Sequence, residues 1–86
     1  MEIIFTETAD EDLKYWKKTN NTAVLKKIRL LLESIIKSPS AGIGKPEPLR
    51  YNLAPKWSRR INQKDRLIYE LKSDHILVHS LKGHYQ

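Results

Sequence analysis

The chain has no cysteine among its 86 residues, which excludes a disulfide framework and any metal site built on thiolates. Packing alone must supply the stability. No apolar run approaches the length of a membrane span; the longest are three residues, among them Leu30-Leu31-Leu32 in a charged segment. The opening Met1-Glu2-Ile3-Ile4-Phe5-Thr6 has no basic region and no cleavage pattern, so it is expected to be a strand and not an export signal. A cytoplasmic protein without membrane association is the expectation. Internal repeats and low-complexity tracts are missing too, as are a Walker phosphate loop, a zincin signature and zinc-finger spacing. The three histidines, His75, His79 and His84, do not make a metal site with carboxylates, and His75 and His79 are expected on a strand surface. The length allows one core, hence a single domain over residues 1–86.

Hydrophobic residues make up 40% of the chain and charged residues 30%, the balance of a folded protein rather than a disordered one. The formal net charge is +6, and it is unevenly spread. Lys45, Arg50, Lys56, Arg59, Arg60, Lys64 and Arg66 face only Glu47 and Asp65 in the stretch from 45 to 66. Nearly the whole imbalance is there. Such a focus draws a polyanion and speeds encounter with it, although composition alone reads equally well as an ordinary basic surface.

The hydrophobic spacing predicts the order strand, two helices, three strands. Glu2 to Thr6 alternates around Ile3 and Phe5. Thr8-Ala9-Asp10-Glu11 has the form of a capping box, opening a helix that ends near Lys18 with Ala9, Leu13 and Trp16 inward. A second helix, capped by Asn21 or Thr22, carries the stripe Val24, Ile28, Leu31 and Ile35 and stops at Ser38-Pro39. Lys26, Lys27, Arg29 and Glu33 fill its solvated side. A long connection to about Pro55 holds all four prolines and two of the three glycines, with Leu49, Tyr51 and Leu53 as packing handles. Irregular segments this long are often functional. Strands at Trp57–Ile61, Arg66–Leu71 and Ile76–Leu81 should form an antiparallel meander. The fold class is α+β: a helical hairpin on one face of a small sheet, with the other face at least partly open.

Within the connection, Pro46 and Pro48 fix the backbone on both sides of Glu47. A carboxylate held this way suits a general base, which must be placed before reaction. Taken alone, the plainer reading, a neutralising partner for Lys45 or Arg50, is favoured. Arg59 and Arg60 must point to opposite faces of their strand, and Arg66 opens the next one. Arginine presents a rigid fork of donors suited to phosphate. The chain finishes Gly83-His84-Tyr85-Gln86. Histidine can give a proton to a leaving group, and tyrosine can stack on a base. Base, acid and cation together are what cleavage of RNA by its own 2′-hydroxyl requires.

Four blocks in order carry a resemblance: Gly44-Lys45-Pro46-Glu47-Pro48-Leu49 with Asn52-Leu53, then Trp57-Ser58-Arg59-Arg60-Ile61, then Arg66-Leu67-Ile68-Tyr69, then His84-Tyr85. The chain resembles the YoeB/Txe family of the RelE-like superfamily over almost its whole length. That resemblance implies a compact RelE-like fold, with two helices on a small mixed, mainly antiparallel sheet whose first strand lies beside the last. It implies an mRNA interferase that cuts mRNA in the ribosomal A site, leaving a 2′,3′-cyclic phosphate and a 5′-hydroxyl, with no cofactor and no metal. Glu47 matches the general base, His84 the general acid, Arg66 the arginine on the scissile phosphate and Tyr85 the aromatic that positions substrate. Arg50 stands where relatives often have lysine and is expected to touch phosphate, as are Lys45, Arg59 and Arg60. The implied partners are the ribosome, mRNA, and a YefM- or Axe-like antitoxin through which alone operator DNA is bound; a homodimer is compatible with the resemblance. Two features depart from the family: Gln86 follows the tyrosine, and Gly83 loosens the backbone before His84. The competing class is a non-catalytic RNA- or ribosome-binding module, or a purely regulatory antitoxin partner, neither of which needs Glu47 and His84.

Overall fold

A computed structural model describes residues 1–83. Strand β1 (Glu2–Phe5) leads into helix α1 (Glu7–Lys18) and helix α2 (Thr22–Lys37). A two-residue strand β2 (Glu47–Pro48), a 3-10 turn (Tyr51–Leu53) and strands β3 (Trp57–Arg60), β4 (Arg66–Leu71) and β5 (His75–Ser80) complete the order. They form one five-stranded sheet in the order β1-β5-β4-β3-β2. β1 runs parallel to β5, with Phe5 beside Val78, and the other pairings are antiparallel. This is the expected α+β arrangement, with β2 added at the far edge.

Helix α1 begins before the expected capping box. Thr6, not Thr8, is the N-cap, and its hydroxyl accepts the Ala9 amide at 3.2 Å while donating to the His79 carbonyl at 2.9 Å. One side chain thus caps the helix and ties its start to β5, a tertiary bond that local spacing cannot reveal. Asn21 caps α2 by accepting the Val24 amide at 3.1 Å.

The hairpin buries Ala9, Trp16, Val24, Ile28, Leu31 and Ile35 against Leu67, Tyr69, Ile76 and Val78 of the sheet. Alternation then puts Ser58, Arg60, Arg66, Ile68, Glu70 and His79 on the side away from the helices. No helix among the described residues is long and apolar enough to cross a membrane.

Candidate active site and nucleic-acid interface

Of the residues expected to do chemistry, the uncovered side of the sheet collects Glu47, Arg60 and Arg66. β2 places Glu47 opposite Ser58, and Ser58 lies opposite Ile68. Directly opposed residues share a face, so Glu47 looks out on the side that carries Arg60 and Arg66, which are themselves a cross-strand pair. β2 escapes sequence reading because two residues show no periodicity. Its proline, Pro48, is tolerated because it is an edge strand.

Arg66 is held low in this face, 9% exposed. Its Nη1 donates to the carbonyls of Asn62 at 2.8 Å, Asp65 at 3.2 Å and Gln63 at 3.3 Å. Its Nε and Nη2 take no partner among the described residues. The turn from β3 to β4 that supplies those carbonyls is fixed by Asn62, whose Oδ1 accepts the amides of Lys64 at 2.8 Å and Asp65 at 2.7 Å. A guanidinium gripped through one nitrogen keeps the rest of its fork aimed and available for an anion.

The same turn holds the end of the described chain. Gly83 donates its amide to Asp65 Oδ1 at 2.8 Å and accepts the Arg66 amide at 3.0 Å. Two residues earlier, the Leu81 amide meets Asp12 Oδ2 at 2.9 Å and the Leu81 carbonyl accepts Trp16 Nε1 at 2.9 Å. Lys82 lies 4.3 Å above the Tyr15 ring. Gly83 has a φ of +78°, which suits glycine, and both its backbone groups are tied down; the expected loosening of the His84 backbone falls outside the described residues. His84 and Tyr85 lie outside the described residues.

Arg59 departs furthest from expectation. It is fully buried and cannot touch RNA. It faces the helix side, and its five N–H donors are all used. Nε meets the Tyr69 hydroxyl at 3.2 Å, Nη1 meets Ser34 Oγ at 2.8 Å and the Ile43 carbonyl at 3.0 Å, and Nη2 meets the carbonyls of Ser38 and Ala41, both at 2.7 Å. Alternation required one of Arg59 and Arg60 to point inward but did not say which. The loop carbonyls decide it, because only a long, multiply donating side chain satisfies them. Arg59 thereby binds the first part of the connection to α2 and β3. Tyr69 donates to the Pro39 carbonyl in the same network, and burial pushes its hydroxyl pKa up, offset in part by the Arg59 hydrogen bond and charge. Gly44 follows in the left-handed region at φ +83°, where a Cβ would stand 2.6 Å from Leu31 Cδ2. That close approach sets the course of the chain toward Glu47.

Lys45, Arg50 and Arg60 are exposed, as expected of phosphate contacts. Two residues escaped notice. Lys27, assigned by periodicity to the solvated side of α2, lines an open cavity of about 350 Å³ together with Gly44, Lys45, Arg60, Ile61, Asn62 and Gln63. The connection folds back over the helix to make it, which helical spacing cannot foresee. Tyr51, expected to pack, is 90% exposed.

His79 Nε2 lies 3.0 Å from Glu70 Oε1, and Lys72 Nζ lies 2.8 Å from Glu70 Oε2. Lys72 first, then His79, hold the Glu70 carboxyl below its usual range. His75 pairs with Asp74 at 2.7 Å. Among the described residues no group of three His, Cys, Asp or Glu side chains could hold a metal ion.

A helical hairpin on one side of a mixed sheet, with a carboxylate and arginines gathered on the other, defines a RelE-like toxin domain. The family model described as the YoeB-like toxin of bacterial type II toxin–antitoxin systems matches residues 5–85, and the chain belongs to that family. Toxin YoeB of Synechocystis is 45% identical over 86 residues, covering all of this chain and 99% of the relative. Among solved structures, the YoeB/ParE toxin from Agrobacterium tumefaciens superposes with a TM-score of 0.95 at 32% identity, covering 99% of this chain and 100% of that one. The YoeB–YefM complex from Staphylococcus aureus gives 0.89 at 45% identity, covering 99% and 98%.

Proposed function

We propose that this chain is an endoribonuclease that cuts mRNA in the ribosomal A site without a metal or cofactor. In this reading Glu47 takes the proton from the 2′-hydroxyl. Arg66 stabilises the charge on the phosphorane, and His84 returns a proton to the departing 5′-oxygen. Tyr85 positions the substrate, while Lys45, Arg50 and Arg60 hold flanking phosphates. The products are a 2′,3′-cyclic phosphate and a 5′-hydroxyl. The observation that carries the reading is the common face of Glu47, Arg60 and Arg66, with Arg66 gripped, among the described residues, through Nη1 alone. Family membership supports it.

A YefM-like antitoxin is the proposed inhibitor, folding an acidic and apolar segment over the cationic face in the cytoplasm. Operator DNA is bound only through that complex. The Staphylococcus aureus relative whose solved structure is a YoeB–YefM complex motivates this partner, and a second structure described as a YoeB dimer motivates a homodimer.

The decisive experiment is toeprinting of a translating message with purified protein. Glu47→Ala and His84→Ala should each slow cleavage by roughly 10²–10⁴-fold, the usual scale for a general base or acid. A message carrying a 2′-methoxy group at the cut site should bind and stay intact. Cutting of that blocked message, or wild-type rates from Glu47→Ala, would refute the mechanism.

A further inference from the structure

Beyond phosphate contacts, the chain offers a surface for a base. We propose that Tyr51 is a rigid platform on which an unpaired nucleobase beside the cut site stacks; this rests on the RNA-cleaving reading above. The ring is 90% exposed, whereas Leu49 before it is buried and Leu53 after it is half-buried. Its neighbours anchor the segment and Tyr51 adds nothing to the core.

Its backbone is held in the left-handed region at φ +59°, where a side chain other than glycine is strained. Four hydrogen bonds enforce this: Leu49 amide to Lys56 carbonyl at 2.9 Å, Leu53 amide to Arg50 carbonyl at 3.1 Å, Ala54 amide to Tyr51 carbonyl at 3.1 Å, and Lys56 amide to Leu53 carbonyl at 3.0 Å. Stability gains nothing from a strained tyrosine in water, so the residue type answers to something outside the fold. Lys45, at φ +52°, is strained likewise, and the two bracket Glu47.

The surroundings name the ligand. Glu47, Arg50, Tyr51 and Asn52 line one cavity of about 310 Å³. Proteins read single-stranded RNA by stacking splayed bases on aromatic rings, gripping phosphates with arginine and meeting base edges with amides. Those three chemistries stand here in three consecutive residues, beside the carboxylate proposed to act on the 2′-hydroxyl. A backbone fixed in advance loses little freedom when a base settles on the ring it carries.

Glycine at position 51 separates stacking from folding. Tyr51→Gly relieves the strain and removes the ring, so it should melt no lower than wild type. Its affinity for a short single-stranded RNA with a 2′-methoxy group at the cut site should fall roughly 5- to 150-fold. KM for ribosome-bound message should rise in parallel. Tyr51→Phe and Tyr51→Trp should retain affinity. Unchanged binding by Tyr51→Gly overturns the proposal, as does a loss in Tyr51→Phe equal to that in Tyr51→Gly. Weakening of the antitoxin complex alone also overturns it and assigns the ring to a protein partner. A wild-type chain that fails to cut message on ribosomes defeats the parent reading as well, whereas wild-type cleavage with an indifferent Tyr51→Gly defeats this one only.

Discussion

The Asp65 carboxylate takes the Gly83 amide at 2.8 Å, one residue before Arg66 donates its own amide to the Gly83 carbonyl at 3.0 Å. The turn that aims Arg66, the arginine proposed to stabilise the phosphorane, therefore also anchors Gly83, the residue before the proposed acid His84. Arg66 and Gly83, far apart in sequence, share one mount.

Loosening that mount should slow the chemistry. Asp65→Ala removes an ionic acceptor worth about 1.5–3 kcal/mol, so single-turnover cleavage on ribosomes should fall by roughly tenfold or more. Asp65→Asn, which keeps an acceptor oxygen, should recover most of the rate. Full activity from a folded Asp65→Ala protein would show that the anchor does not matter.

Arg59 should behave as a stability residue and not as an RNA contact. Arg59→Ala strands the Tyr69 hydroxyl, Ser34 and three loop carbonyls. Each buried acceptor left unsatisfied costs about 1–3 kcal/mol, and several are stranded together. In a domain of this size that lowers the melting temperature by more than about 10 °C. Normal melting combined with weakened RNA binding would contradict the burial.

Lys27 should add to the salt dependence of RNA binding. With Lys45 and Arg60 it lines a cavity beside the proposed phosphate contacts. Lys27→Ala should reduce the slope of log affinity against log salt by about 0.7 for single-stranded RNA. Lys26→Ala changes net charge equally on the exposed side of the same helix and serves as the control. Equal slopes for the two variants would mean that only the general field is felt.

Acid stability should depend on Glu70. Its folded pKa is depressed by Lys72 and by His79, so folding releases its proton more readily than the unfolded chain does. The resulting stabilisation is complete above the unfolded value of about 4.3 and disappears as pH falls through the lower folded value. Glu70→Gln should therefore melt below wild type at neutral pH, with the gap closing toward pH 3. A gap that stays constant across that range would exclude the linkage.

The helices and the three long strands were legible because each has a period: 3.6 residues along Val24, Ile28, Leu31 and Ile35, and two along β4 and β5. What lacked a period was lost. β2 exists only by pairing with β3, and Thr6 caps α1 while bonding a carbonyl 73 positions away. Blocks of residue types singled out Glu47 and Arg66, which the sheet brings to one face, but could not separate Arg59 from Arg60, since alternation fixes opposition without fixing direction. Tyr51 was misplaced because an apolar ring between two leucines resembles a packing residue until its backbone dihedral is seen.

The position of β5 governs when this molecule can exist. It lies between β1 and β4, so the first strand made has no partner until the last has been synthesised. A nascent chain leaving the ribosome carries two helices and an unclosed sheet, and cannot complete its core before residue 80 is free. Such long-range pairing slows folding. A chain cut at Ser73 should show no cooperative unfolding. Synthesis and assembly are thus separated in time, and the mount shared by Arg66 and Gly83 is among the last parts to be put together.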